Sequence, residues 1–304
     1  HAVAVRHRRL LRRRPRVARL PEAAHRLDVL LIETLLVHPH KVEGDGRRLA
    51  DELARRRALR RRRQLPQILS GCQSGDITRM TNSITVARKL LKNYEFRSRE
   101  RRMPLDLIVD QLFPTLLQIF GQVVNQPYAS GDRTQIDAAG DICRLITKCL
   151  WSSSMFIMSP YLKVRENMMN WMGKLNDVVK RDVEILLPPK DDDGDDEERN
   201  KYVWVKAKKW AMKFFHRLFS RFGNARYVEE TDKAFSNMFV NELSVPIMES
   251  VLQTVSLRAN GKFCSDRCMM EGISYIGCAA EMGATWKVLK PHVDTLLFQI
   301  CFPI

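Results

Sequence analysis

The sequence lacks the short motifs that build most catalytic sites. It contains no G-x-x-x-x-G-K-[ST] phosphate loop, no G-x-S-x-G nucleophile turn and no H-E-x-x-H zinc motif. No C-x-x-C pair occurs, and the Cys264-x-x-x-Cys268 spacing does not match a zinc site. The stretch Gly44–Leu49 lacks the third glycine of a dinucleotide fingerprint. These absences predict a protein that is not an enzyme and needs neither a cofactor nor a metal ion.

Further absences concern the fold. Alternation of apolar and polar residues, which is typical of β-strands, is not found after residue 64. No run of 18 apolar residues is present, so no membrane insertion is expected. The cysteine count of seven is odd, and several cysteines fall on apolar helical positions. We therefore expect reduced, buried thiols in a cytosolic or nuclear protein rather than a disulfide framework.

The first 64 residues contain no Phe, Tyr, Trp or Ser. They hold 19 Lys and Arg against 7 Asp and Glu, so +12 of the formal charge of +16 lies there. A core without aromatic residues is unusual, and we place a domain boundary after residue 64. Residues 1–64 are interpreted as a solvated basic arm, a mitochondrial transit peptide, or a translation artefact such as a wrong reading frame or a retained intron. The lack of Ser disfavours a transit peptide.

Helical periodicity runs through residues 65–304, which carry a net charge of only +4. Apolar residues recur at spacings of three and four, and prolines stand at or just inside the predicted helix starts. The helices predicted from these signals are Ile77–Phe96, one from Pro104 with a kink at Pro114, Arg133–Trp151, Pro160 to about Ile185, one after a possible Thr231 cap, one from Pro246, Arg267–Met282 and Trp286–Phe302. Two helices with their turns take roughly 40–50 residues, a period typical of HEAT or armadillo arrays. The predicted fold is all-α, a right-handed superhelical solenoid of HEAT-type antiparallel helix pairs; a closed bundle is the alternative.

The helix around which this array is organised is Trp204–Gly223. Its apolar stripe, which includes Trp210, Phe214 and Phe219, is too wide to stand alone and must be covered by neighbouring helices. The residues on its opposite face are Lys206, Lys208, Lys209, Lys213, Arg217 and Arg221. We interpret this face as a solvated outer surface; a nucleic-acid stripe is the alternative.

An acidic loop at residues 188–200 precedes this helix. Its seven carboxylates are Asp191, Asp192, Asp193, Asp195, Asp196, Glu197 and Glu198. A calcium loop is excluded because Pro189 and Asn200 occupy the first and last ligand positions. The run is either a solvated linker or a docking loop that attracts a basic partner by long-range electrostatics.

Three motifs carry a resemblance to a known family. KYVWVKAKKWAMKFFHRLFSRFGN resembles the Trp-Lys-x-Lys-Lys-Trp-Ala helix of the importin-7 and importin-8 group of nuclear transport receptors. LLKNYEFRSRERRMPL (Leu90–Leu105) is similar to that group's Lys-Asn-Tyr-Glu segment, and TWKVLKPHVDTLLFQICFP (Thr285–Pro303) to its Trp-Lys-x-Leu-Lys-Pro-His helix. The motifs occur in the same order and spacing, and the resemblance covers residues 65–304.

The resemblance implies an importin-β-type superhelix that imports protein cargo and releases it when Ran-GTP binds. It also implies passage through the pore by contact with Phe-Gly nucleoporins, location in cytoplasm, nucleus and nuclear envelope, and basic cargo such as ribosomal proteins or histones. The acidic loop is expected to assist cargo binding. Residues 1–64 do not resemble the family's Ran-binding domain, and its carboxy-terminal half is missing, so a middle piece of such a receptor is expected. The alternatives are a HEAT scaffold without Ran dependence and a basic nucleic-acid-binding protein that depends on residues 1–64.

Overall fold

The computed structural model describes residues 64–125, 132–190 and 196–302, and no β-strand occurs among them. All of them belong to the unit Arg62–Ile304. Of the basic, aromatic-free residues 1–64, only residue 64 is described, so the domain boundary after residue 64 stays a prediction.

The described part contains nine α-helices of seven residues or more. Their bounds are 64–72 (α1), Ile77–Lys92 (α2), Arg99–Val124 (α3), Arg133–Ser153 (α4), Arg165–Lys180 (α5), Val203–Phe222 (α6), Ser244–Ala259 (α7), Asp266–Ala279 (α8) and Gly283–Leu289 (α9). Shorter helical pieces are Pro160–Lys163 before α5, Glu197–Lys201 before α6, Lys233–Met238 and the π-helix Phe239–Leu243 before α7, and Val293–Thr295 and the π-helix Leu296–Cys301 after α9.

These helices pack in two layers. In one layer α2, α4, α6 and α8 contact one another in succession, and in the other α3, α5, α7 and α9 do so. Between the layers, α3 packs on α4, α5 on α6 and α7 on α8, so each pair is formed by helices that follow one another in the chain. Contacts confined to neighbouring units define a solenoid. The predicted all-α solenoid of helix pairs is confirmed.

The aromatic core is centred on α6, which lies between α4 and α8 and contacts α5 in the other layer. Trp204, Phe214 and Phe215 of this helix are fully buried. Burial of each such side chain contributes about 1.5–3 kcal/mol relative to exposure. Trp204 also donates a hydrogen bond from Nε1 to the carbonyl of Ile136 on α4, at 2.9 Å. The prediction that neighbouring helices cover this apolar stripe is confirmed.

Close contact between α4 and α6 depends on Gly140. A Cβ atom at this position would lie 2.9 Å from the Trp204 ring and 2.9 Å from the Val203 side chain. Such distances are shorter than packed carbon atoms tolerate, because protein interiors are already close to crystal density. The glycine therefore allows the indole of Trp204 to reach the α4 backbone.

Several helix ends follow the expected capping chemistry. Asp132 accepts a hydrogen bond from the amide of Thr134 at the start of α4, and Ser265 accepts one from the amide of Cys268 at the start of α8. Gly261, directly after the Asn260 cap of α7, has φ +69°, a conformation that glycine adopts without a steric penalty. Helix α7 thus ends at Asn260-Gly261, and Ser265 caps α8.

Other predicted boundaries are wrong. Helix α3 begins at Arg99 and runs through Pro104, which was expected to open it. Arg102 in this stretch is 2% exposed, because its guanidinium reaches the carbonyl of Ser153 at the end of α4. Tertiary contact with α4 thus extends the helix beyond the apolar pattern.

The helix predicted to start at Pro246 also starts earlier. Helical structure is continuous from Lys233 through the π-helix to Ala259, and the cap predicted at Thr231 lies in a 3-10 turn, Glu230–Asp232. Ser244 is fully buried, and its hydroxyl donates a hydrogen bond of 2.5 Å to the carbonyl of Val240. Pro246 is the third residue of α7 and does not open the helix.

In the part of the chain that the structure describes, the segment Arg101–Val124 is long and apolar enough to cross a membrane by length and composition. Its apolar side chains instead belong to the core of the solenoid: Leu105, Leu112 and Phe113 are fully buried. Phe113 packs edge to face on Trp171 of α5, with ring centroids 5.6 Å apart. We therefore describe α3 as a core helix.

Candidate interaction surface

Two tryptophans meet where α4 packs on α6. Trp151 and Trp210 contact each other edge to face, with ring centroids 5.8 Å apart and an interplanar angle of 77°. Both rings are half-buried, although the sequence pattern placed Trp210 within the buried stripe. Side chains from the same two helices cover the ring faces that this contact leaves free.

Four cationic side chains occupy those faces. Lys148 and Lys209 place Nζ 5.0 and 5.2 Å from the centroid of Trp210. Lys213 lies 5.5 Å from Trp210 and 5.1 Å from Trp151, and the guanidinium of Arg217 lies 4.3 Å from Trp151. Each such contact contributes about 0.5–1 kcal/mol at an exposed site. We call this set the cation–tryptophan cluster: Lys148, Trp151, Lys209, Trp210, Lys213 and Arg217.

The arginines at the end of α6 hold the loop that follows α4. Arg217 donates to the carbonyl of Met155, and Arg221 donates to the carbonyls of Ser154 at 2.7 Å and Phe156 at 3.2 Å. Burial lowers the pKa of both guanidinium groups, and that of Arg217, which also faces Arg221, falls to about 10. The prediction of a freely solvated basic face is therefore wrong for these two residues.

The prediction of a solvated basic face is also wrong for Lys208. It is 6% exposed, and burial lowers the pKa of its ammonium group. It lines a small cavity of about 140 Å³ together with Cys264 and Cys268, which α8 and its leading loop bring against α6. A lysine at the edge of an apolar stripe is buried or solvated depending on the helix that packs beside it. The sequence of α6 alone does not specify that neighbouring helix.

Beside the cluster lies an open groove of about 790 Å³, bounded by α4, the start of α6 and the start of α8. Its charged lining is unbalanced. The cationic residues are Arg144, Lys148, Lys201, Lys206, Lys209 and Arg267, and the anionic ones are Asp141, Glu197 and Asp266. We call this surface the basic groove; sequence reasoning missed it because its residues come from four separate helical segments, α4, Glu197–Lys201, α6 and α8.

The carboxylates of the basic groove already have partners. Asp141 pairs with Arg144 at 2.9 Å, Glu197 with Lys201 at 2.5 Å, and Asp266 with Arg258, outside the groove, at 2.6 Å. Four other cations of the groove make no ion pair within 4.0 Å in the described ranges. They are Lys148, Lys206, Lys209 and Arg267.

The electrostatics of Lys148 reflect this surplus of positive charge. Its pKa is lowered to about 8, chiefly by burial and then by repulsion from Arg144, Arg88 and Lys209. The pKa of Lys209 is lowered for the same two kinds of reason. A bound anion would reverse the repulsive contribution.

The seven carboxylates predicted as a partner-binding loop are only partly described. Asp191, Asp192, Asp193 and Asp195 lie outside the described residues. Asp196 bonds to Arg199 at 3.2 Å, whereas Glu197 and Glu198 both contact Lys201 at the start of the turn that leads into α6. Glu197 and Glu198 are both exposed, and Glu197 lines the basic groove.

A further acidic residue was missed by sequence reasoning. Glu271 of α8 is 7% exposed and lies 3.5 Å from Nδ1 of His216 and 3.9 Å from Nζ of Lys213. His216 of α6 thus has a packing partner on α8. This contact joins α6 to α8, and its Lys213 is also a member of the cation–tryptophan cluster.

The described residues offer no group of three or more His, Cys, Asp or Glu side chains that could hold a metal ion. Five of the seven cysteines are buried, Cys278 is half-buried and Cys301 is exposed. Burial raises the pKa of Cys72 to about 11 and of Cys264 to about 12. These buried thiols are consequently poor nucleophiles.

Comparison with curated proteins identifies relatives that are much longer than this chain. It is 31% identical over 223 residues to the importin beta-like SAD2 homolog of Arabidopsis thaliana, covering 73% of this chain and 21% of that protein. It is 24% identical over 232 residues to human Importin-8, covering 76% and 21%. The chain spans about a fifth of the length of the curated relatives it matches.

The fold comparison agrees. No family model matches the sequence. Among solved structures, the exportin Cse1 in its cargo-free, cytoplasmic state superposes with a TM-score of 0.59 at 16% identity, covering 80% of this chain and 24% of that chain. That likeness establishes the HEAT-type solenoid. With the importin relatives, it shows that this chain, through residues 65–304, belongs to the importin-β family of nuclear transport receptors.

Proposed function

We propose that this chain is part of an import receptor that binds protein cargo and releases it when Ran-GTP binds. The observation that supports this most directly is the 31% identity to an importin beta-like protein over 223 residues that fold as a HEAT-type solenoid. A solenoid offers a long surface whose adjacent units adjust to different partners. The proposed activity is binding without catalysis, and neither a cofactor nor a metal ion takes part.

The family also supports the remaining partners and the location. Ran in its GTP form, Phe-Gly nucleoporins and basic cargo such as ribosomal proteins or histones are proposed partners. The protein is proposed to shuttle between cytoplasm and nucleus through the nuclear pore. Membrane insertion and direct nucleic-acid binding are not part of this function.

The acidic loop is proposed to contact basic cargo. Glu197 and Glu198 are exposed and stand where the run joins the turn before α6. The seven carboxylates of Asp191–Glu198 attract Lys- and Arg-rich chains over a distance set by salt, about 8 Å at physiological ionic strength. Contacts of this kind are individually weak and sensitive to salt.

A paired substitution tests the loop. Glu197→Gln with Glu198→Gln should weaken binding of a histone-tail peptide, measured by fluorescence anisotropy at low salt, with unchanged helicity. Glu229→Gln with Glu230→Gln is the matched control, because those two glutamates are also exposed and Glu230 also pairs with a lysine, Lys233. Equal affinities for both double variants would show that the loop does not contact cargo.

The Ran cycle is tested on the protein purified from its native source. Binding to Ran loaded with GTP and with GDP is compared by biolayer interferometry. Strong preference for the GTP form, together with release of a prebound cargo, is the expected result. Equal binding to both forms, or to neither, would refute Ran dependence and favour a HEAT scaffold.

A further inference from the structure

We propose that the basic groove binds an acidic polypeptide segment, whose Asp and Glu side chains are received by Lys148, Lys206, Lys209 and Arg267. This goes beyond the proposed import function, in which the partners are basic cargo and Ran. The groove lies on the layer formed by α4, α6 and α8, and the four cations come from all three helices.

Charge is the first argument. The groove holds six cationic and three anionic side chains, and its anions are already paired. Within the described residues, the four named cations have no carboxylate within 4.0 Å. Mutual repulsion among Arg144, Lys148 and Lys209 disfavours the unliganded state, and carboxylates placed among them would relieve it.

Pre-organisation is the second argument. Flexible lysines usually lose about 1.5–2 kcal/mol of side-chain conformational freedom when they are fixed against a partner. Lys148 and Lys209 are already held over the Trp210 ring, at 5.0 and 5.2 Å from its centroid. Cation–π contact restricts their positions without neutralising their charge, so less entropy remains to be lost when a carboxylate binds.

The dimensions suit an extended peptide. Neighbouring helices in a layer lie roughly 8–10 Å apart, so the strip from α4 to α8 is on the order of 20 Å long. Six extended residues span about the same length. The groove volume of about 790 Å³ admits several side chains along that strip.

The same geometry disfavours nucleic acid. Proteins that bind single strands stack bases on open aromatic faces. Here the faces of Trp151 and Trp210 are covered by lysine and arginine side chains. Asp141, Glu197 and Asp266 in the lining can accept hydrogen bonds from the backbone N–H groups of a peptide, which the phosphate backbone of a nucleic acid does not offer.

The test combines an affinity measurement with a site-resolved one, because residues 1–64 attract any polyanion. The probe is a fluorescent peptide with six consecutive glutamates, and a six-glutamine peptide is its control. In parallel, free lysines of the full chain are acetylated at pH 8 with and without the probe and quantified by mass spectrometry. The acidic peptide should reduce acetylation of Lys148, Lys206 and Lys209 at least fivefold, and of the exposed Lys89 and Lys92 less than twofold.

Charge-matched variants complete the design. Lys148→Gln, Lys209→Gln and Arg267→Gln together should weaken peptide binding by tenfold or more. Lys89→Gln, Lys92→Gln and Lys287→Gln remove the same charge from exposed positions elsewhere and should change it less than twofold. If the groove variant loses helicity, Arg267→Gln alone replaces it, since this side chain is exposed, and about threefold weaker binding is expected.

Three outcomes would overturn the proposal. The first is equal loss of affinity in the groove and control variants, and the second is uniform protection of all lysines. The third is stronger protection of the groove lysines by a single-stranded oligonucleotide of equal charge, which would assign the groove to nucleic acid. None of these measurements uses Ran or basic cargo, so failure here is separate from failure of the import function.

Discussion

Replacement of Arg102 by Met tests how the solenoid joins α3 to α4. Arg102 is 2% exposed and donates to the carbonyl of Ser153 at 2.5 Å and to that of Tyr94 at 3.5 Å. Ser153 is the last residue of α4, where carbonyl groups lack partners within the helix. The guanidinium also lies close enough to Asp106 for their charges to interact. Met fills similar space but offers no donor.

The expected cost follows from these contacts. Loss of the charged hydrogen bond to Ser153 costs about 1.5–3 kcal/mol, and the longer one to Tyr94 adds about 0.5 kcal/mol. Asp106, whose pKa burial already raises, loses a favourable charge and adds roughly 1 kcal/mol. The Nε–H of Arg102 is buried and has no acceptor in the described part of the chain. Its removal should stabilise the variant by about 1 kcal/mol, which offsets part of the loss. Arg102→Met should therefore destabilise the chain by about 2–4 kcal/mol.

The assay is urea unfolding followed by circular dichroism at 222 nm. Arg101→Met is the matched control, because the neighbouring arginine is exposed on the same helix and should change stability by less than about 0.5 kcal/mol. Protection of the α4 amides from hydrogen exchange should fall only in the Arg102 variant. If both variants unfold at the same urea concentration, the buried guanidinium does not stabilise the α3–α4 pair.

Three further predictions concern other sites. Gly140→Ala should destabilise the folded chain by about 1–2 kcal/mol in thermal unfolding, because its Cβ would lie 2.9 Å from the indole on α6. Gly173→Ala, whose Cβ would meet no neighbouring atom within 4 Å, should stabilise it by about 0.5–1 kcal/mol through helix propensity. The pKa of Lys148 is lowered to about 8 in the folded chain, so the unfolded chain binds more protons between pH 8 and 10 and stability should rise with pH there. Lys148→Met should flatten that rise in denaturation measured at each pH. Iodoacetamide should alkylate the exposed Cys301 well before the buried Cys143, whose pKa burial raises, as peptide mapping would show.

Each of these has a result that would count against its premise. Equal shifts in melting temperature for the two alanine variants would mean that α4 and α6 do not pack as closely as described. A pH profile that Lys148→Met leaves unchanged would show that burial and like-charge repulsion do not lower the pKa of Lys148. Alkylation of Cys143 at the rate of Cys301 in the folded chain would show that α4 opens readily to solvent.

Residues of the family motifs make contacts between neighbouring helices. Glu95, in the Lys-Asn-Tyr-Glu segment, is 8% exposed and accepts a hydrogen bond of 2.5 Å from Ser152 of α4. Trp204, at the start of the Trp-Lys-x-Lys-Lys-Trp-Ala motif, joins α6 to α4. The residues that reveal the family are thus those that fix neighbouring units, and they do not themselves identify a partner-binding site.

The amino-acid sequence by itself determined the helical content, the faces of most helices, the array of helix pairs and the family. Spacing of three and four places apolar side chains on one face whatever surrounds the helix, and capping residues such as Ser265 act through local hydrogen bonds. Those signals need no tertiary information.

Only the tertiary structure decided which charged side chains are buried and which are exposed to solvent. Lys208, Arg102 and Glu271 are buried, while Lys209 and Lys213 lie over tryptophans, although each is a charged residue outside the apolar spacing of the predicted helices. Long side chains reach several ångströms from their own helix, so their solvation depends on the neighbouring helix. The basic groove has the same origin, since most of its cations come from α4, α6 and α8, which meet only when these helices pack side by side in one layer.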